Sequence, residues 1–143
     1  MARARVVRRV ITLDTSAIVA LANRDDPDHA PTLTAFEADP GPYLVPCEIM
    51  AEVAYLIERR LGAHVLDAFL TNLESGELSP QHDPERLTRV RELAERYSDL
   101  PLGFSDAAVV ACAEDHGGRV LTLDRRDFDV VAREGRLELL PPP

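Results

Sequence analysis

The chain has 143 residues, the usual size of one folded domain, and its hydrophobic fraction of 45% is enough for one core and excludes disorder throughout. Its net charge of −9 argues against a surface that grips nucleic acid through charge alone, but not against an enzyme that offsets its own acids with metal ions. All 16 basic residues are arginine, so the sequence excludes mechanisms that need a lysine, such as Schiff bases and P-loop phosphate binding.

The two cysteines, Cys47 and Cys112, lie in apolar helical surroundings and have no spacing to histidine that is typical of a zinc site. We expect both to be reduced thiols. Arginines near the start precede an apolar stretch, as in a signal peptide, but Asp14 interrupts that stretch. No run approaches the roughly 18 apolar residues that a membrane span needs. The sequence therefore predicts a cytoplasmic protein without membrane association.

The first half of the chain is predicted to alternate strands with helices after a basic lead-in over residues 1–9. Its predicted elements are a strand over 10–14, helices over 15–23 and 29–38, a strand over 43–46, and helices over 47–60 and 61–73. Thr15 or Ser16 is expected to cap the first helix, because a hydroxyl can accept hydrogen bonds from the free amides of a first turn. Pro46 ends the second strand, since proline has no amide hydrogen to donate.

The second half continues this alternation after a linking segment around Leu78, which is either irregular or a short strand. Its predicted elements are a helix that starts at 83–84, a loop over 100–104, a helix over 106–113, a strand over 120–124, a helix over 126–133, a strand over 137–140 and a tail over 141–143. Ser105 is expected to cap the helix that follows it. Strands that alternate with helices predict an α/β fold, with a mainly parallel central sheet and helices on its faces, in one domain over 1–143.

Two of the predicted strands end in the same three residues, Thr12-Leu13-Asp14 and Thr122-Leu123-Asp124. Because the carboxyl ends of parallel strands meet at one edge of a sheet, both carboxylates are expected at the edge where ligands bind. Strand periodicity places each threonine on the same side as the aspartate that follows it. The hydroxyls could hold the carboxylates in place, although burial within the sheet explains the threonines equally well.

The helix predicted over 47–60 carries a carboxylate without an obvious local partner. Ile49 and Leu56 belong to an apolar stripe at helical spacing, and Glu52 lies at the margin of that stripe. Glu48 lies one turn before Glu52 and repels it, and no arginine lies one turn away on the same helix. We therefore expect Glu52 to face a partner elsewhere in the fold, and a cation would suit it.

The candidates for one shared site are four acids, Asp14, Glu52, Asp106 and Asp124. Structural alternatives exist, because Asp14 and Asp106 suit the start of a helix and Asp124 suits a helix cap or a pair with the arginines after it. Taken together, clustered carboxylates with few cations suit Mg²⁺ or Mn²⁺, which are hard ions that take oxygen ligands. Such a site supports phosphoryl chemistry, because the metal polarises a phosphoryl oxygen and lowers the pKa of an attacking water.

Several segments together resemble a known family. They are Val-Ile-Thr-Leu-Asp-Thr-Ser-Ala at 10–17, Leu-Val-Pro and Glu-Val-Ala-Tyr within 44–55, Leu-Gly-Phe-Ser-Asp-Ala-Ala at 102–108 and Leu-Thr-Leu-Asp-Arg-Arg-Asp-Phe at 121–128. In this order they resemble the PIN-domain family and, more narrowly, the VapC toxins of bacterial toxin–antitoxin pairs. The resemblance covers nearly the whole chain and implies a PIN-like three-layer α/β/α sandwich with Mg²⁺-dependent endonucleolytic cleavage of RNA.

The resemblance also assigns roles by position. It implies that the catalytic acids and metal ligands are Asp14, Glu52, Asp106 and Asp124, and an acid fills each of these family positions. The Tyr-Leu that follows at 55–56 favours Glu52 over Glu48 for its position. The groups expected to support these ligands are Ser16, Thr122 and Asp127. A helix start is the preferred explanation for Asp127.

The resemblance implies partners as well. It implies an RNA substrate, a homodimer, and a cognate antitoxin whose often basic C-terminal segment enters the acidic groove. The net charge of −9 is consistent with a cationic partner. The low aromatic content, without tryptophan, argues against extensive stacking on RNA bases.

Three other classes of protein are alternatives to the metal-dependent ribonuclease toxin. A catalytically silent PIN-like module would act by binding a protein partner, and it would keep that binding without cleaving RNA. A haloacid-dehalogenase-like phosphatase needs a second aspartate two residues after Asp14, where this chain has Ser16, and it needs a lysine. A two-component receiver domain fails on the same missing lysine. The ribonuclease, with Mg²⁺ or Mn²⁺ as cofactor, is therefore the preferred interpretation.

Overall fold

The computed structural model describes residues 10–100, 102–135 and 137–142, and a single sheet forms its centre. The strands of this sheet are β1 (Ile11–Leu13), β2 (Tyr43–Pro46), β3 (Ser79–Gln81), β4 (Arg119–Leu121) and β5 (Glu138–Leu140). All neighbouring strands pair in parallel, in the order β3-β2-β1-β4-β5. The predicted parallel sheet is confirmed, and the linking segment near Leu78 leads into a strand. The lead-in over 1–9 lies outside the described residues.

Helices join the strands and cover both faces of the sheet. Those in the described part of the chain are α1 (Thr15–Ala22), α2 (His29–Glu37), α3 (Cys47–Leu61), α4 (Ala63–Ser75), α5 (Leu87–Arg96), α6 (Phe104–Asp115) and α7 (Arg125–Arg133). Successive side chains of β1 point to opposite faces, yet all three residues are at most 1% exposed, so helices must cover each face. This is the predicted three-layer α/β/α arrangement. Among the described residues, no helix has the length and apolar character that crossing a membrane requires.

The strand order creates a topological switch point between β1 and β4. From β1 the chain proceeds outward through β2 and β3, and it then returns to add β4 and β5 on the other side. The carboxyl ends of β1 and β4 lie side by side, since Leu13 pairs with Leu121 and the N–H of Asp14 donates to the Leu121 carbonyl at 3.0 Å. In open parallel sheets, ligands bind in the crevice at such a point.

The core fixes the two helices that bring further acids to this edge. In α3, Ile49, Val53 and Ile57 are fully buried at intervals of four residues, so one stripe faces the core and the opposite face meets solvent. In α6, every residue from 107 to 113 is buried, and most of these side chains are small. Small side chains let α6 pack closely on β1 and β4, and this packing fixes the first turn of the helix, which carries Asp106.

The start of α1 differs from the prediction. Asp14 occupies the cap position, and its carbonyl accepts the N–H of Ile18 at 3.1 Å, so neither Thr15 nor Ser16 is the cap. The helix starts directly after the strand, and its first residue is Thr15. The hydroxyl of Ser16 donates to the side chain of Asp14 at 2.8 Å and is therefore not used for capping.

The start of α6 also differs from the prediction, in which Ser105 was the cap. Gly103 holds the cap position, and its carbonyl accepts the N–H of Ala107 at 3.0 Å. The helix therefore begins at Phe104, inside the predicted loop over 100–104. Ser105 lies in the first turn, where its hydroxyl donates to Glu52 at 2.9 Å. A long-range carboxylate thus competes successfully with the local backbone for this hydroxyl.

Two further elements are shorter or more irregular than predicted. The strand predicted over 120–124 is β4, which ends at Leu121, so Thr122 and Asp124 follow the strand and do not belong to it. The helix predicted to start at 83–84 begins as a 3₁₀ turn over Pro84–Arg86 before α5. The side chain of Asp83 caps that turn by accepting the N–H of Glu85 at 3.0 Å.

Candidate active site

A cleft of about 370 Å³ opens at the carboxyl ends of β1 and β4, at the switch point of the sheet. The acids predicted from the sequence all line it, namely Asp14, Glu52, Asp106 and Asp124. The other described lining residues are Thr15, Ser16, Val19, Asp26, Leu56, Arg60 and Leu123. Because the acids belong to separate elements of the chain, only the folded structure can bring them into one cleft.

Asp14 forms the floor of the cleft and is only 4% exposed. Its Oδ2 atom accepts hydrogen bonds from Ser16 Oγ and Thr122 Oγ1, both at 2.8 Å. Burial raises the pKa of this carboxyl, and the two hydroxyls oppose that rise because they stabilise the ionised form. A carboxylate held by two donors in a dry environment keeps one orientation, so Asp14 is preorganised.

The same two hydroxyls tie the tip of β1 to the segment after β4. Ser16 Oγ accepts the backbone N–H of Leu123 at 2.9 Å, and Thr122 Oγ1 accepts the backbone N–H of Asp124 at 3.0 Å. Each hydroxyl therefore donates to Asp14 and accepts from the backbone beside Asp124. The position of one carboxylate is in this way coupled to the position of the other.

Asp106, Asp124 and Asp127 form a cluster in which one carboxylate oxygen of each lies within 4.8 Å of the others. Burial and, after it, repulsion by Asp14 and Asp124 raise the pKa of Asp106 from 3.8 to about 7. Burial and repulsion by Asp127 raise the pKa of Asp124 as well. The Oδ1 atom of Asp127 is buried and has no hydrogen-bond partner among the described residues. We call these three residues the acid cluster.

The start of a helix lies behind each member of the acid cluster. Asp106 lies in the first turn of α6, Asp124 occupies the cap position of α7, and Asp127 lies in the first turn of α7. The exposed amides at a helix start favour negative charge, which partly offsets the repulsion among these acids. The predicted alternative, that Asp106 and Asp127 are helix-start acids, is thus correct as a description of their position, and it does not conflict with the cluster.

Glu52 approaches the cleft from α3 and is exposed to solvent. Its Oε2 atom accepts the hydroxyl of Ser105 at 2.9 Å, which answers the expectation that this acid faces a partner elsewhere in the fold. Glu52 lines the cleft without belonging to the acid cluster. Glu48 lies instead beside a different cavity, with His82 and Phe104, so the structure separates the two glutamates.

Sequence reasoning ranked one member of the site too low and missed two others. Asp127 was expected only as a supporting group, but one of its carboxylate oxygens lies within 4.8 Å of an oxygen of Asp106 and of Asp124. Asp26 and Arg60 line the cleft and were not singled out at all. Arg60 carries a detectable signal, because it lies two turns after Glu52 on the same stripe of α3. Asp26 lies between α1 and α2 and carries no comparable signal.

The acid cluster fits a hard divalent cation. All its donors are carboxylate oxygens within reach of one ion, which is the ligand type that Mg²⁺ and Mn²⁺ prefer. The buried Oδ1 atom of Asp127, which has no hydrogen-bond partner among the described residues, could instead contact a cation. Burial and, after it, repulsion by neighbouring acids raise the pKa of Asp106, and positive charge would relieve that repulsion. These three observations agree.

Comparison with known proteins places this architecture in a family. A sequence model described as "PIN domain" matches residues 11–134, which include the whole cleft lining. Ribonuclease VapC26 of Mycobacterium tuberculosis is 31% identical to this chain over 134 residues, which cover 90% of this chain and 98% of the relative.

Solved structures share the fold at lower identity. The crystal structure of Mycobacterium tuberculosis VapC20, a sarcin-ricin loop cleaving toxin, superposes with a TM-score of 0.75 at 20% identity, covering 84% of this chain and 94% of that chain. The crystal structure of VapBC2 from Rickettsia felis, bound to a DNA fragment from their promoter, gives a TM-score of 0.67 at 16% identity, covering 91% and 96% of the two chains. The parallel sheet, the acid-lined cleft at its switch point and these likenesses lead to one conclusion, which is that the chain belongs to the PIN-domain family.

Proposed function

We propose that this protein is a metal-dependent endoribonuclease that acts as the toxin of a toxin–antitoxin pair. The observation that carries the proposal is the acid cluster, which lies beside the buried and preorganised Asp14 at the switch point of the sheet. The relative VapC26 is named as a ribonuclease, and VapC20 is named as a toxin that cleaves the sarcin-ricin loop. Both names support RNA as the substrate and a phosphodiester bond as the bond that is cleaved.

The catalytic acids in this proposal are Asp14, Glu52, Asp106 and Asp124, and Asp127 joins them as a metal ligand. The acid cluster would hold Mg²⁺ or Mn²⁺, and Asp14 and Glu52 line the same cleft. A bound ion of this kind supplies Lewis-acid polarisation of a phosphoryl oxygen and a water of lowered pKa.

The protein's own groups then have separate tasks. Asp14 keeps a fixed orientation because Ser16 and Thr122 both donate to its Oδ2 atom. Ser105 holds the side chain of Glu52 at the mouth of the cleft, where a substrate enters. These hydroxyls position carboxylates and do not themselves react, so their removal should weaken catalysis without ending it.

The test is cleavage of total RNA by the purified chain, with Mg²⁺ or Mn²⁺ and with EDTA. Discrete fragments should form only with metal, and they should vanish in Asp14→Asn. The matched control is Asp129→Asn, because Asp129 is a half-exposed acid on α7 outside the cleft and outside the acid cluster. Equal activity of the wild type with and without EDTA would contradict the proposal. A chain that cleaves nothing but captures a basic protein partner would instead be the silent binding module.

A homodimer is part of the proposal, and an exposed apolar patch supports it. Tyr55, Leu87 and Phe104 are 62%, 56% and 54% exposed, which is unusual for large hydrophobic side chains. Leu87 and Phe104 line one cavity, and Tyr55 lies one turn after Glu52, whose partner Ser105 follows Phe104. Light scattering should give twice the monomer mass for the wild type. For Leu87→Glu it should give the mass of a single chain. Leu70→Glu, at a 48% exposed leucine on α4, is the control that should remain dimeric.

An antitoxin partner is also proposed, because VapBC2 is a complex of this kind and two surfaces of this chain suit one. A cavity of about 630 Å³ between α1, α2 and α4 is lined by apolar side chains such as Ile18, Leu33 and Phe69. It adjoins the acidic cleft, since Ile18 precedes Val19 of the cleft lining. A partner segment with an apolar stretch and a basic end would match both surfaces.

A further inference from the structure

We infer that Arg60 binds a backbone phosphate of the substrate within the cleft. The inference rests on the proposed RNA substrate. It names a residue that binds the RNA backbone next to the phosphate at which cleavage occurs. Arg60 is the one cationic side chain among the described residues that line the cleft. All the other charged residues in that lining are acids.

Arg60 is close to carboxylates and yet is not paired with any of them. Within residues 10–100, 102–135 and 137–142, its guanidinium forms no hydrogen bond and has no carboxylate oxygen within 4.0 Å. Asp26, another acid of the cleft lining, accepts the backbone N–H of Asp28 through Oδ1 at 2.8 Å and so stabilises its own loop. The guanidinium therefore keeps its donors available for a ligand, and a bidentate phosphate contact is the geometry that these donors fit.

The position of Arg60 on α3 decides which phosphate it can reach. Glu52, Leu56 and Arg60 follow one another at intervals of four residues, so they form one stripe that faces the cleft. Eight residues of helix separate Glu52 from Arg60, which is about 12 Å along the helix axis. A phosphate bound by Arg60 is thus offset along α3 from one that lies beside Glu52, and Arg60 acts on binding and positioning of the substrate.

A local cation is needed because the protein as a whole repels RNA. The chain carries a net charge of −9, and four of its acids lie in the same cleft as Asp14. No aromatic side chain occurs among the described lining residues, so stacking on bases does not supply the missing attraction there. Arg60 and a bound metal ion would then be the two sources of positive charge at the described lining of the cleft.

The alternative is that Arg60 only stabilises the end of its helix. Cations in a last turn favour the negative end of the helix dipole, and both Arg59 and Arg60 lie in the last turn of α3. Arg59 is exposed like Arg60 but does not line the cleft. The two neighbours are therefore matched in charge, helix position and exposure, and they differ in their access to the cleft.

The experiment compares Arg60→Gln with Arg59→Gln, each in the Asp14→Asn background so that RNA is bound and not cleaved. Binding of two short, fluorescently labelled single-stranded RNAs of unrelated sequence is measured by anisotropy in Mg²⁺ over a range of salt concentrations. Arg60→Gln should raise the Kd about tenfold at low salt for both RNAs, since a charge-assisted hydrogen-bonded contact is lost. It should also lower the slope of log Kd against log salt by about 0.7. Arg59→Gln should leave both quantities within about twofold of the background.

Each other outcome overturns the inference. Equal effects of the two variants would assign Arg60 to the helix end, and a loss for one RNA alone would indicate a base contact and not a phosphate contact. No RNA binding in the Asp14→Asn background would also contradict it. Cleavage of total RNA by the wild type is measured in parallel. If the wild type cleaves RNA but Arg59→Gln and Arg60→Gln change the Kd equally, the inference about Arg60 fails and the proposed function remains. In the cleaving chain, Arg60→Gln should raise KM and leave kcat within about twofold.

Discussion

Thr12-Leu13-Asp14 and Thr122-Leu123-Asp124 are the same three residues at the ends of neighbouring parallel strands, but they lie at different depths in the molecule. Asp14 is 4% exposed and accepts two hydroxyl groups, whereas Asp124 is half-buried, lines the mouth and belongs to the acid cluster. The threonines differ as well. Thr122 donates to Asp14, while the hydroxyl of Thr12 donates to the sulfur of Cys112 on α6, at 3.9 Å.

The register of the sheet explains the difference. Thr12 pairs with Val120 and Leu13 with Leu121, so the next pair along the strands joins Asp14 to Thr122. The second copy is therefore displaced by two residues, which is about 7 Å along the strand direction. This shift puts a hydroxyl of one copy beside the carboxylate of the other, and it carries Asp124 beyond the end of β4 to the cleft mouth. Two equal segments thus supply a fixed floor acid and a more open acid that belongs to the proposed metal site.

The largest expected effect comes from removing the open copy of the carboxylate. Asp124→Asn should lower RNA cleavage at least about a thousandfold, because losing a metal ligand costs several kcal/mol of transition-state stabilisation. Mg²⁺ should raise the melting temperature of the wild type, because a ligand at a hundred times its Kd stabilises the folded state by about 2.7 kcal/mol. Asp124→Asn should abolish that rise. Asp129→Asn, on the same helix, should behave like wild type in both assays. A retained metal-induced shift in Asp124→Asn would place the ion elsewhere.

The two threonines give an effect of intermediate size. Thr122→Val should reduce cleavage about 10- to 100-fold, since a group that orients a metal-site carboxylate is lost. It should also lower the free energy of unfolding by about 1–3 kcal/mol, because the N–H of Asp124 loses its acceptor. Thr12→Val, the same change in the first copy, should leave the cleavage rate within about twofold. Equal losses of activity in both variants would show that the register shift is not what assigns the roles.

The smallest effect concerns Asp106, which both Asp14 and Asp124 repel, and it is measured without metal. Repulsion by Asp14 raises the pKa of Asp106 more than repulsion by Asp124 does, so the value of about 7 should fall further in Asp14→Asn than in Asp124→Asn. NMR titration of the Asp106 carboxyl in EDTA measures both shifts. The reverse order would mean that the floor carboxylate is protonated and does not act as a charge.

The same carboxyl makes stability depend on pH. Its folded-state pKa of about 7 lies above the ordinary value of 3.8, so between these values the folded chain binds more protons than the unfolded chain. Stability of the metal-free protein should therefore fall as pH rises from about 4 to about 7, and Asp106→Asn should flatten that fall.

The main features of the fold and site follow from the sequence because they depend on local patterns. Strands that alternate with helices specify a parallel sheet, and an acid directly after a buried strand has to emerge at its carboxyl edge. Glu52 could be found because its own helix offers it no partner. These inferences do not need the pairing between strands.

The remaining features depend on long-range geometry that no local pattern specifies. The register between β1 and β4 decides that Thr122, and not Thr12, binds Asp14. The direction in which α7 leaves its strand decides that Asp127 joins the acid cluster. The capping rule failed at Ser105 because a carboxylate from another helix competes for its hydroxyl.

The buried run of α6 has a consequence for how proteins of this design can change. A helix enclosed on all sides over residues 107–113 accepts only substitutions of similar volume, so the aspartate at its start is difficult to displace by gradual mutation. The rim of the cleft is different, because Leu56 and Arg60 lie on the solvent side of their helix and can be replaced without disturbing the core. The aspartate at the start of α6 therefore stays in place while residues at the rim of the cleft can change. One scaffold can in this way acquire new nucleic-acid targets and keep the same chemistry.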